Sequence, residues 1–123
     1  TRFLLTLEEA VDLIEWSYST YDSHGKIVIP NIKALKITDI AKSLGRAYGH
    51  KDIKLNYIGI RPGEKLHEAM ISETESFRTK INNDEYYMIM DEIVNDNCWT
   101  FSSDTSLMKP EETDLFLQNS GVI

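Results

Sequence analysis

Apolar residues recur at helical spacing near the start of the chain, where Leu7, Ala10, Val11, Ile14 and Tyr18 fall on one stripe. Thr6 followed three residues later by Glu9 makes a capping box, so a helix is predicted over residues 7–19. Asp22, Ser23, His24 and Gly25 supply turn chemistry, and residues 26–29 are short, rich in β-branched side chains and bounded by Pro30, as a strand would be. Residues 30–36 read as a loop. Ile37, Ile40, Ala41, Leu44 and Tyr48 form the stripe of a second helix, capped at Thr38 or its neighbour and ended by Gly49. Ile53, Leu55 and Tyr57 then alternate with Asp52, Lys54 and Asn56, predicting a half-buried strand that runs into Gly59 and Ile60. Arg61-Pro62-Gly63 breaks it.

Leu66, Ala69 and Met70 are at helical spacing, which predicts a short helix over residues 64–71 directly after that break. A polar stretch fills 72–85, residues 86–90 suit a third strand, and 91–104 read as an exposed connection anchored by Trp99 and Phe101. Pro110 at a first-turn position, Glu111 and Glu112 beside it, and Leu115, Phe116 and Leu117 before Gly121 predict a last helix. The order helix, strand, helix, strand, helix, strand, helix is α/β. It predicts a small sheet of about three strands with flanking helices, too narrow for a complete doubly wound domain. Residues 1–123 are therefore expected to be one lobe of something larger.

Composition narrows the partners. The chain has 123 residues, 41% of them hydrophobic and 27% charged, within the range of one folded domain. Thirteen basic and twenty acidic residues give a net charge of -7, which disfavours nonspecific attraction to nucleic acid or to anionic membranes. Any bound anion must be held by a local cationic site. Cys98 is the single cysteine, so no intrachain disulfide can form, and a small core or boundary residue in a reducing compartment is the expectation. No apolar run approaches the roughly 20 residues of a membrane span, and no basic-then-apolar leader pattern opens the sequence, so a soluble cytoplasmic protein is expected.

The six glycines stand at 25, 45, 49, 59, 63 and 121, so no G-x-G pair exists from which to build a dinucleotide or phosphate loop. No Tyr stands four residues before a Lys, and three scattered histidines with one cysteine make no metal site. Residues 60–68, Ile-Arg-Pro-Gly-Glu-Lys-Leu-His-Glu, differ in quality. A strand delivers Arg61 at its C-terminal end, Pro62 and Gly63 fix a sharp turn, and Glu64 follows. An Arg fork can grip a phosphate bidentately, and a carboxylate can accept two ribose hydroxyls. On spacing alone the segment is equally a structural turn with a surface ion pair. Arg2, Lys33, Lys36, Lys65 and His67 read as solvated charges, and Glu73 and Glu75 as surface.

Four stretches together resemble a known family, the extended short-chain dehydrogenases acting on nucleotide sugars, and within it the inverting UDP-N-acetylglucosamine 4,6-dehydratases and their capsular-polysaccharide relatives. They are Thr1-Arg2-Phe3 with residues 6–12, Ile29-Pro30 with 35–42, residues 58–68, and residues 101–105 before the last helix. The resemblance implies that Arg61 and Arg2 contact the nucleotide diphosphate, that Glu64 holds the ribose hydroxyls, and that Pro30 borders the uracil. It implies an intramolecular redox in which NAD(P) takes hydride from sugar C4, water leaves across C5 and C6, and hydride returns to C6. The cofactor carries that chemistry and the protein orients the sugar. The family's glycine-rich loop and catalytic residues correspond to positions before Thr1, so the cofactor is expected to be bound by a Rossmann half outside this sequence. A homo-oligomer of the complete enzyme is implied as well. The epimerases share the Arg-Pro-Gly-Glu segment and are the alternative, together with a non-catalytic UDP-sugar-binding module.

Overall fold

The computed structural model describes all residues, 1–123. In chain order the elements are β1 (Arg2–Phe3), α1 (Leu7–Ser19), a single 3-10 turn (Tyr21–Ser23), β2 (Ile27–Pro30), β3 (Ala34–Leu35), α2 (Ile37–Ala47), β4 (Ala69–Ile71), α3 (Glu73–Ser76), β5 (Thr79–Asn82), β6 (Tyr86–Ile89), β7 (Phe101–Ser102) and α4 (Pro110–Asn119). The chain is mixed α/β, with small antiparallel sheets and flanking helices. It forms two compact units, each assembled from separated stretches of sequence.

One unit comprises Thr1–Leu4, Lys33–Glu68 and Ser103–Ile123. Here β1 pairs with β3, Arg2 opposite Leu35 and Phe3 opposite Ala34. Ala34 and Leu35 are wholly buried, with Leu117 of α4 nearly so, and these make its apolar centre. Helix α2 faces α4 through polar contacts as well as apolar ones. The Ser43 hydroxyl, buried on α2, donates to the Asp114 carboxylate, which also takes an ion pair from Arg46 at 2.6 Å. These bonds hold Asp114 ionised below the ordinary aspartate range, the Ser43 hydrogen bond being the larger cause. Of the predicted stripe on α2, Ile37 and Tyr48 are exposed, and Ser43 is the helix's buried residue.

The other unit comprises Leu5–Ile32 and Ala69–Ser102. Its three-stranded sheet has the order β2-β6-β5, with Pro30 opposite Tyr86 and Asn82 opposite Tyr86 from the other side. The β5–β6 turn uses Asn83 and Asp84 with φ of 54° and 59°, left-handed values that Asn and Asp tolerate better than other non-glycine residues. Ile29, Ile71, Met88, Ile89 and Phe101 form the core, and Tyr87 packs its ring 5.2 Å from that of Phe101. Helix α1 starts at the predicted capping box: Thr6 Oγ1 accepts the Glu9 N–H at 3.1 Å, and Glu9 Oε2 accepts the Thr6 N–H at 2.7 Å. Its apolar stripe is uncovered, with Leu7 83% and Tyr18 85% exposed.

Four expectations are corrected. Residues 53–60 are not a sheet strand: alternation supplies the side-chain pattern, but no second strand pairs with this stretch. The third place in the sheet belongs to β5, which lies in the stretch read as merely polar. Residues 64–71 form no helix, because the Glu68 N–H is bonded to Ser103 Oγ and the Glu68 C=O to the Ser103 N–H, both at 2.8 Å. That pairing leads into β4 and outweighs local helical spacing. Cys98 is exposed rather than a core or boundary residue. No helix is long and apolar enough to cross a membrane.

Candidate functional site

The most built polar feature lies in the first unit, at residues 61–64. The Glu64 N–H donates to the Arg61 carbonyl at 3.0 Å, closing a four-residue turn with Pro62 second and Gly63 third. Gly63 has φ of 87°, the left-handed conformation that a type II turn requires at that place and that a Cβ would strain. The turn brings Arg61 and Glu64 together twice. The Arg61 backbone N–H donates to Glu64 Oε2 at 2.9 Å, and Nε donates to Oε1 at 2.7 Å, with Nη2 at 2.5 Å from the same oxygen. The backbone hydrogen bond first, and then the side-chain one, hold the Glu64 carboxyl below the ordinary glutamate range. The Arg61 side chain is 76% exposed, so its remaining donors face solvent.

Upstream, the extended stretch is anchored where Ile53 meets α2. A Cβ on Gly45 would lie 1.9 Å from Ile53 Cδ1, so the Ile53 side chain lies directly over this glycine and would have to move for any larger residue. Downstream, residues 65–68 are tied to β1 and to Ser103. Arg2 Nη1 donates to the Thr1 carbonyl at 2.6 Å and to the Leu66 carbonyl at 3.3 Å, and Nη2 donates to the Lys65 carbonyl at 3.0 Å. Arg2 Nε lies 3.4 Å from Glu68 Oε1, while Glu68 Oε2 accepts the Phe3 N–H at 3.0 Å. The wholly buried Ser103 hydroxyl bonds Thr1 Oγ1 at 2.6 Å, and Thr1 Oγ1 also lies 2.8 Å from His67 Nδ1.

Beside these residues opens a cavity of about 360 Å³. Ile37, Ile60 and Leu66 give it an apolar wall, and Arg2, Lys36, Lys65, His67 and Glu64 give it a polar rim. Three cationic side chains against one carboxylate make this a basic place on an acidic chain. The arrangement suits a ligand with an apolar or planar part and an anionic part.

Of the residues singled out in the sequence, Arg61 and Glu64 are in direct contact, and Arg2 and Glu64 share the cavity rim. Pro30 belongs to the other unit, where it lines a separate cavity of about 280 Å³ with Glu9, Asn31, Asp84, Glu85 and Tyr86. Lys36, Lys65 and His67, which the sequence alone presents as solvated charges, line the first cavity. The position of Lys36 immediately before the first turn of α2, and of Lys65 beside Glu64, was the only signal for them.

Residues 1–91 match the model of a family described as polysaccharide biosynthesis protein, and the chain belongs to that family. Among its relatives, the UDP-N-acetylglucosamine 4,6-dehydratase (inverting) of Campylobacter jejuni is 42% identical over 89 residues, covering 72% of this chain and 25% of that protein. The capsular polysaccharide biosynthesis protein CapD of Staphylococcus aureus is 38% identical over 77 residues, 61% of this chain and 13% of that protein. A UDP-glucose 4-epimerase of Rickettsia bellii is 33% identical over 91 residues, 74% of this chain and 26% of that one. The fold is that of Pen from Bacillus thuringiensis, with a TM-score of 0.82 over 99% of this chain and 39% of that chain, at 22% identity. The chain thus spans about a quarter of the length of the dehydratase and epimerase relatives it matches.

Proposed function

We propose that this chain is the UDP-sugar-binding part of a UDP-N-acetylglucosamine 4,6-dehydratase acting in nucleotide-sugar and surface-polysaccharide biosynthesis. The observation that carries the reading is the closed turn of Arg61 and Glu64 beside a cavity of basic rim and apolar wall. In this reading Arg61 and Arg2 contact the diphosphate and Glu64 accepts the ribose hydroxyls. Glu64 suits that role because its carboxylate is held ionised and oriented before any ligand arrives. Arg61 keeps Nη1 uncommitted, so a phosphate oxygen can be taken without breaking the turn. The relative at 42% identity bears the dehydratase name, which supports the dehydratase reading, and the relative at 33% bears the epimerase name, which supports the alternative of an epimerase of the same family.

The residues of this chain do not fit NAD(P). All four strand pairs are antiparallel, and no two glycines are separated by one residue, so the strand, glycine-rich turn and helix that receive a dinucleotide phosphate are not built here. In the complete enzyme the cofactor is assigned to a Rossmann half outside this sequence, and supplies the hydride chemistry when bound. The uncovered stripe Leu7, Val11, Ile14 and Tyr18 is the surface we assign to that half. A homo-oligomeric, cytoplasmic enzyme completes the reading, and the exposed Cys98 thiol suits a reducing compartment.

Titration calorimetry of this chain with UDP and UDP-N-acetylglucosamine tests the binding claim. Saturable binding of both by the folded chain is expected; a folded chain that takes neither would overturn the reading.

A further inference from the structure

We propose that Lys36 and Lys65 are the cations that balance the charge of the ligand's phosphates in the basic cavity, an inference that rests on the UDP-sugar reading of that site. Arg2 stands against the Glu68 carboxylate and Arg61 against that of Glu64, so each guanidinium is largely neutralised within the protein. Arg2 is further committed: of its five N–H groups, three donate to the carbonyls of Thr1, Lys65 and Leu66, and a fourth faces Glu68.

Two cations on the same cavity are not spent. None of the chain's five salt bridges involves Lys36 or Lys65, although Lys26, Lys33 and Arg46 elsewhere each have a carboxylate partner. Both lysines are held at the backbone. The Lys36 carbonyl accepts the N–H groups of Asp39 and Ile40 at 2.9 and 3.2 Å, and the Lys65 carbonyl accepts Arg2 Nη2. Their ammonium groups, by contrast, keep all their donors for a ligand. On a chain of net charge -7, two unpaired ammonium groups beside an apolar wall match the roughly two negative charges of a nucleoside diphosphate. Arg2, besides its place beside the diphosphate, fixes the loop that carries Lys65.

The test is calorimetric titration of the chain with UDP, uridine and inorganic pyrophosphate, for the wild type, Arg61→Ala and the double variant Lys36→Met/Lys65→Met, with circular dichroism as the control for folding. The double variant is expected to bind UDP and pyrophosphate at least about tenfold more weakly, with uridine unaffected and a flatter salt dependence. UDP binding that falls in Arg61→Ala but is unchanged in the lysine variant would overturn the inference and leave the UDP reading standing. Pyrophosphate bound through the lysines by a chain that ignores UDP would keep the inference and retire that reading. A folded chain that binds neither would overturn both.

Discussion

Arg61 and Glu64 hold each other in place before any ligand is present: Nε of the guanidinium lies 2.7 Å from Oε1 of the carboxylate, whose other oxygen takes the Arg61 backbone N–H at 2.9 Å. Two side chains of opposite charge are thereby presented at fixed separation from a turn of four residues. Such preorganisation lowers the ordering cost of binding.

The turn depends on one backbone conformation. Gly63→Ala places a Cβ at φ of 87°, with open space around it, so the cost is conformational rather than steric. A loss of roughly 1–2 kcal/mol of stability is expected, together with weaker UDP binding as the turn loosens. Urea unfolding and calorimetry of the same variant check the two effects.

The Glu64 carboxyl titrates below an ordinary glutamate because its ionised form accepts hydrogen bonds from Arg61. A folded-state pKa lowered in this way adds stability above the unfolded value, and the gain is lost as pH falls through the folded value. UDP binding that uses the Glu64 carboxylate should therefore persist somewhat below the pH at which free glutamate protonates. Arg61→Ala removes the guanidinium but keeps the backbone N–H, the larger cause, so an NMR titration should show the Glu64 side chain moving only part of the way back toward the ordinary value; an unmoved titration would remove the guanidinium as a cause.

Ser103 joins two parts of the first unit, accepting the Glu68 N–H and bonding Thr1 Oγ1 from a wholly buried position. Ser103→Ala leaves those partners unsatisfied and should cost about 1–3 kcal/mol in urea or thermal unfolding. A variant as stable as the wild type would show that water replaces the hydroxyl without loss.

The stripe on α1 carries a different expectation. Leu7 and Ile14 are 83% and 67% exposed, so Leu7→Ser with Ile14→Ser should alter the stability of the chain by no more than roughly 0.5 kcal/mol per site. Urea unfolding of the double variant beside the wild type checks it.

What was legible in the sequence is what local chemistry decides. The Thr6/Glu9 box starts α1, Pro110 stands at the start of α4, and Pro62-Gly63 makes the turn, each through bonds within a few residues. What was not legible depends on distant partners. Residues 53–60 have the alternation of a strand but no pairing strand, and residues 64–71 have helical spacing but give the Glu68 backbone groups to Ser103. In β5, Thr79 and Ile81 alternate with Lys80 and Asn82 in a segment whose polarity hid the pattern. In the site, Arg61 and Glu64 could be read from their motif, whereas Lys36 and Lys65 look like any solvated lysines until the cavity between α2 and the arginine turn is seen.

The central claim, that the Arg61 turn receives the nucleotide of a UDP-sugar, is tested most directly by titrating UDP into the folded chain and into Arg61→Ala under the same conditions. Saturable binding by the wild type, weakened in the variant by about 1.5–3 kcal/mol as expected for a charged hydrogen-bonded contact, is the expected result. Equal affinity in the two proteins, or no binding by a wild-type chain shown to be folded, would contradict it.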